Sequence, residues 1–201
     1  MLMAVLASAT LSFGSMTLTV PTVIVQEQFV APGKNKFVWV QSPNFNARPP
    51  GTIVDTIVLH HTASDNLAGT VKWFQMESSQ ASAHFTIGKD GSIVQHLSTF
   101  DRAWHAGQSK DRSERPNVNN YSIGIEMVNT GSGTDPWTPE QVEACYLLCA
   151  HLIRHRFPEI KQITSHEFIA IPPGRKKDPK NFPWDALKPL GVDLVYGLNK
   201  S

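Results

Sequence analysis

A chain of 201 residues, 41% hydrophobic and 17% charged, is long enough for one well-buried globular domain. Lys plus Arg (18) nearly balances Asp plus Glu (17), and a formal net charge of +1 excludes both the basic footprint of a nucleic-acid binder and a polybasic membrane signal. No apolar run approaches the roughly 20 residues that span a bilayer, so no transmembrane segment is expected.

The first residues, Met1 to Ala9, join an apolar run to an Ala7-Ser8-Ala9 triplet like a signal-peptidase site, with no Lys or Arg before Lys34. Two readings stand: a clipped or mis-started export signal, and an N-terminal arm outside the fold. The first favours the cell envelope or secretion. Thr17 to Val30 is β-branched and interrupted by Pro21, and Lys34 to Gln41 is a second strand-like run. Pro43, Pro49 and Pro50 confine their neighbours, which predicts an extended surface lead-in from Ser42 to Pro50. The expected organisation is an arm over residues 1–41, a domain over residues 42–192 and a tail over residues 193–201.

Thr56-Ile57-Val58-Leu59 reads as a buried strand that ends in His60 and His61, followed by the small turn-forming residues Thr62, Ala63 and Ser64. A strand holds its last side chain on a rigid support, so a histidine there can fix a metal or a proton in place. Asp65 or Asn66 then caps a helix through Leu67, Val71, Phe74 and Gln75. Ala83, Phe85 and Ile87 alternate with His84 and Thr86, and Lys89-Asp90-Gly91 turns the chain into a return strand through Ile93, Val94 and Leu97.

Arg102 to Asn120 reads as a long polar loop, interrupted by Ala103-Trp104-His105-Ala106-Gly107, and a loop of this length points to function. Tyr121 to Val128 is a strand in which Glu126 sits among apolar neighbours. Thr138-Pro139-Glu140-Gln141 has the form of a capping box with proline at the first helical position, and the helix runs to about Phe157 before Pro158. On it Val142, Cys145, Leu148, Cys149 and Leu152 trace one apolar stripe, which makes the cysteines core residues rather than a disulfide. A short strand, Ile160 to Thr164, delivers Ser165-His166-Glu167, a Pro/Gly/Lys-rich loop follows through Asp178-Pro179, and Phe182 to Leu187 starts a short closing helix.

Strands far apart in sequence thus end in histidines, and Asp178 follows the second a loop later. Two histidines and an aspartate form a three-ligand set for zinc with a fourth position open to water. Nothing in the spacing fixes that set, because neither a His-x-x-x-His helix pair nor a Cys-x-x-Cys is present, and a lone histidine is commonly a satisfied core or surface residue.

Ile57-Val58-Leu59-His60-His61-Thr62-Ala63, Ser82-Ala83-His84-Phe85, Ala103-Trp104-His105-Ala106-Gly107, Ser122-Ile123-Gly124-Ile125-Glu126 and His166-Glu167-Phe168-Ile169-Ala170 to Pro173-Gly174-Arg175-Lys176-Lys177-Asp178-Pro179 occur in an informative order. It resembles that of the zinc-dependent N-acetylmuramoyl-L-alanine amidases of the type 2 family, which includes peptidoglycan recognition proteins. The match runs from about Ser42 to Leu187. The resemblance implies an α/β fold, a central mixed sheet flanked by helices with zinc at one sheet edge, and hydrolysis of the amide between N-acetylmuramic acid and L-alanine in peptidoglycan or muropeptides.

Carried over residue by residue, it implies that His60, His166 and Asp178 bind Zn2+, that Glu126 is the general base, and that Lys176 stabilises the oxyanion. Strand alternation puts His60 and His61 on opposite faces, so only one can be a ligand. His84, Trp104, His105 and Arg175 are candidates for binding sugar and peptide, with two plainer readings open: Trp104 covering the core and His84 bonding locally. Between His166 and Gly174 the chain reads Glu-Phe-Ile-Ala-Ile-Pro-Pro, longer than the family's Ile-Ala-Pro-Gly form, and the expectation is that the extra residues bulge outward. The second reading is a recognition module that holds muropeptide without cutting it. A monomer is expected.

Overall fold

The computed structural model describes residues 4–13, 16–25 and 37–197. They fall in two compact units, Met1–Val30 and Ala31–Ser201. In the first, β1 (Ala4–Phe13) and β2 (Met16–Val25) form an antiparallel hairpin, paired from Ala4 with Val25 to Phe13 with Met16. Parts of the N-terminal expectations, Met1 to Met3, residues 26–30 and Lys34 to Lys36, lie outside the described residues.

The second unit is built on a sheet of seven strands. In chain order the strands of this unit are β3 (Phe37–Trp39), β4 (Phe45–Ala47), β5 (Thr56–His61), β6 (Phe85–Ile87), β7 (Ile93–Gln95), β8 (Asp101–Ala103), β9 (Ser122–Met127), β10 (Gln162–Ser165) and β11 (Asp193–Val195). The sheet order is β11-β10-β5-β9-β6-β7-β3. β11, β10, β5, β9 and β6 run parallel, and β7 turns back antiparallel to β6 with β3 parallel to it.

The sheet takes in strands on either side of residues 42–192. β3 hydrogen-bonds to β7 before residue 42, and β11 pairs with β10 from Asp193, inside the expected tail. The proline-rich lead-in is also more ordered than expected. Its β4 pairs with β8, and Ser42 and Asn44 are buried, Asn44 donating to Met76 O at 2.9 Å and Ala81 O at 3.1 Å.

Three helices accompany the sheet: α1 (Leu67–Gln75), α2 (Pro139–His151) and α3 (His166–Ile169). Asn66 caps α1 by accepting from Gly69 N–H, as its sequence suggests. Thr138 caps α2, but the capping box is only half made. Gln141 turns inward and its Nε2 donates to Ile87 O and Val128 O instead of returning to the cap. Cys145, Leu148 and Cys149 are fully buried, and the helix continues through a π-helical turn, Leu152–Arg156, before Phe157.

Parallel register decides what each face of the sheet carries, because paired residues share a face. Ile57 pairs with Ile123 and Leu59 with Ile125, giving an aliphatic face, while α2 packs against β6. On the other face Val58 pairs with Gly124 and His60 with Glu126. The alternation around His84 does not expose one side of β6: Ala83 to Ile87 are all buried. Covered on both faces, the sheet leaves its chemistry at the carboxyl ends of β5, β9 and β10, where open α/β sheets bind ligands.

Candidate active site and metal centre

His60 lies at the end of β5, His166 begins α3 directly after β10, and Asp178 follows on the loop. Ser165 accepts from Phe168 N–H and so turns the chain into α3, a short helix the sequence reading treated as loop. The exposed Pro172 and Pro173 bulge outward, and Glu167 N–H donates to Asp178 O, bringing Asp178 back beside His166.

His60 Nδ1 lies 3.0 Å from His166 Nδ1 and 3.1 Å from Asp178 Oδ2, and His166 Nδ1 lies 3.0 Å from the same oxygen. The outer ring nitrogens assign the protons. His166 Nε2–H donates to Ala106 O at 3.2 Å, so its Nδ1 presents a lone pair, and His60 Nε2 lies 3.0 Å from His105 Nδ1. Two imidazole nitrogens and a carboxylate oxygen converging on one point suit a divalent cation, and the set fits zinc with a position left for a further ligand.

Glu126 sits beside this cluster. Its Oε2 is buried and has no hydrogen-bond partner. Burial, helped by the nearby charge of Asp178 and opposed by Lys176, pushes its pKa up to about 8.

A groove of about 830 Å³ opens over these residues, with Glu126, Lys176 and Trp104 in its wall and the half-exposed Trp73 at its rim. Trp104 Nε1–H donates to Asn46 Oδ1 at 3.0 Å, which holds the ring in place. Arg175 lines the groove too, but its guanidinium donates to Ile171 O, Ala106 O and Gln108 O, tying two loops together. His84 is wholly buried: it accepts from Gly124 N–H and donates to Asp101 O, and it forms no part of the groove wall. His105 is largely buried against His60 and still lines the floor of the groove. His61, on the opposite side of β5, accepts from Lys180 N–H at 3.2 Å.

The sequence reading missed Ser122, Gly124 and Asn119, which surround His105. A signal existed in β9, where Ser122, Gly124 and Glu126 recur at alternate positions of an otherwise aliphatic strand.

The buried histidines make acid the expected weak point of the fold. Burial lowers His84 to about 3 and His96 to about 4, the latter against the opposing effect of its hydrogen bond to Val40 O. Their folded pKa values lie below the unfolded value of 6.5, so their contribution is present above pH 6.5 and is lost as pH falls towards 4. Each neutral histidine contributes a slope of up to about 1.4 kcal/mol per pH unit inside that window. Thermal melting of the metal-free chain should therefore fall steeply from pH 6.5 to 4. A flat profile would show that these rings accept protons without unfolding.

A family model described as N-acetylmuramoyl-L-alanine amidase matches residues 49–181. N-acetylmuramoyl-L-alanine amidase A of Achromobacter lyticus is 30% identical over 146 residues, covering 63% of this chain and 77% of the relative. The 1,6-anhydro-N-acetylmuramyl-L-alanine amidase AmpD of Escherichia coli strain K12 is 32% identical over 170 residues, covering 75% and 90% respectively. Among solved structures, AmpDh3 of Pseudomonas aeruginosa in complex with anhydromuramic pentapeptide superposes with a TM-score of 0.59 at 33% identity, covering 72% of this chain and 62% of that one.

Proposed function

The chain belongs to the N-acetylmuramoyl-L-alanine amidase family and hydrolyses the amide between N-acetylmuramic acid and L-alanine, and from that premise we propose that it does so as a zinc enzyme acting on peptidoglycan-derived muropeptides. The observation that carries the metal reading is the convergence of His60 Nδ1, His166 Nδ1 and Asp178 Oδ2 within hydrogen-bond distance of one another. Zinc held by these residues supplies a Lewis acid that acidifies water and polarises a carbonyl.

The remaining steps belong to the protein. A dication held nearby would favour the Glu126 carboxylate, whose unpartnered Oε2 would then be free to take a proton from the attacking water. Water adds to the carbonyl carbon, the C–N bond breaks, and Glu126 returns the proton to the departing amine nitrogen of L-alanine. Lys176, whose positive charge acts on both Glu126 and His60 and which lines the groove, is the cation that would stabilise the carbonyl oxygen as it gains negative charge. The Trp104 ring, anchored on Asn46, offers an apolar wall to a sugar, and Lys177 on the groove wall offers a cation to a stem-peptide carboxylate.

Relatives named for 1,6-anhydro substrates support a soluble muropeptide over intact wall. An envelope location rests on the apolar N-terminal run alone. Among the described residues, no helix is long and apolar enough to cross a membrane.

Elemental analysis of purified protein should find one zinc per chain, and mass spectrometry of a muropeptide digest should find free stem peptide. Chelation should abolish the release and zinc should restore it. Fully active protein without any transition metal would overturn the assignment, and zinc-loaded protein that binds muropeptide without releasing peptide would make the chain a recognition module.

A further inference from the structure

We propose that His105 is a positioning residue that fixes the proton of His60 on the outer ring nitrogen, and that Ser122 and Gly124 of β9 build the place in which it works. The inference rests on the metal reading above and concerns which tautomer makes His60 a ligand.

Ser122 lies on β9 four residues before Glu126. Ser122 Oγ–H donates to Val118 O at 2.7 Å, so its lone pairs face His105 Nε2 at 3.2 Å and accept the proton there. A neutral histidine protonated at Nε2 is bare at Nδ1. That atom lies 3.0 Å from His60 Nε2, so the shared proton belongs to His60. His60 Nδ1 is then left with its lone pair directed at His166 Nδ1 and Asp178 Oδ2.

The alternative is close at hand, which gives the device its purpose. A neutral His60 could carry its proton on Nδ1 and donate it to Asp178 Oδ2, 3.1 Å away. That arrangement would occupy two of the three ligand atoms with each other. His105 removes it by demanding the proton on the far side of the ring.

Two further features exist only to admit His105 at this spot. A Cβ on Gly124 would lie 2.5 to 2.9 Å from three atoms of the His105 ring, so the ring rests on the bare backbone of β9. Asn119 Oδ1 accepts from both His105 N–H and Ala106 N–H, at 3.2 and 2.8 Å, and fixes the loop above it. Ser122, Gly124 and Glu126 share one face of one strand, so the strand that carries the proposed base also seats the ring that orients a ligand.

Nitrogen NMR of the full chain with labelled histidine reads the tautomer directly, and zinc affinity is measured by competition with a chromophoric chelator. His105 should be protonated at Nε2 and bare at Nδ1 with and without zinc. His105→Phe should bind zinc about 10- to 100-fold more weakly, and His105→Gln, whose amide oxygen can accept from His60 Nε2–H, should recover most of that loss. Gly124→Ala, which touches no ligand, should weaken zinc in the same direction by displacing the ring.

A His105 ring protonated at Nδ1, or zinc binding by His105→Phe within about twofold of the unmodified chain, would overturn the proposal. If His105→Phe does not fold, the tautomer in the unmodified chain and the affinity of His105→Gln decide between the same outcomes. An unmodified chain that takes up no zinc would overturn the metal reading and this inference with it, whereas zinc uptake that ignores His105 would sink this inference alone.

Discussion

Glu126→Gln is expected to keep its zinc, bind muropeptide and release peptide about 10²- to 10⁴-fold more slowly than the unmodified chain. The substitution preserves shape and removes only the capacity to accept a proton. A buried carboxylate held for structural reasons has a partner, since an unpaired one is costly to bury. Glu126 Oε2 is buried without one, so its environment raises its pKa to about 8 instead of satisfying its charge. Single-turnover peptide release, measured beside zinc content, separates loss of chemistry from loss of metal. Near-normal turnover would assign proton transfer to another group.

The same variant has a second signature in the metal-free chain. The folded pKa of Glu126 lies above its unfolded value of 4.5, so its stabilising contribution is full below about pH 4.5 and is lost as pH rises through about 8. Glu126→Gln should therefore be less destabilised than the unmodified protein on going from pH 6.5 to 8. This is the reverse of the histidine effect, which acts on the acid side.

What the sequence made legible follows from how locally each feature is determined. β5, β9 and α2 announce themselves through β-branched runs and a proline-led cap, and the structure places them with shifts of only a residue or two at most ends. The pairing of β4 with β8 and the addition of β3 and β11 to the sheet were not legible, because three-residue strands carry too little pattern and are fixed by their partners. His60, His166 and Asp178 were named through the resemblance rather than through spacing. Their convergence depends on the β10–β5 pairing and on the Glu167–Asp178 backbone bond, neither of which the spacing specifies. His84 and His105 were expected to face substrate, and only His105 reaches the groove. Residue type alone could not reveal that His84 is locked between Gly124 N–H and Asp101 O, or that His105 also sits between Ser122 and His60.

The adjacent histidines provide the sharpest remaining contrast. His60→Ala should lose zinc affinity by more than the roughly 10- to 100-fold expected for a change outside the ligand set, and its peptide release should fall to background. His61→Ala should retain both. The reason is the two-residue period of β5: His60 faces Glu126 across the parallel register and points into the ligand cluster. His61 leaves from the other face, where its Nδ1 is occupied by Lys180 N–H and its ring lies against Gly131. Losing that one hydrogen bond should cost about 1 kcal/mol of stability. Ranked by zinc affinity, the order should be unmodified chain and His61→Ala together, then His105→Phe, then His60→Ala. Equal zinc loss in the His60 and His61 variants, with folding intact by circular dichroism, would mean that β5 does not present these rings to opposite sides and that the ligand set must be redrawn.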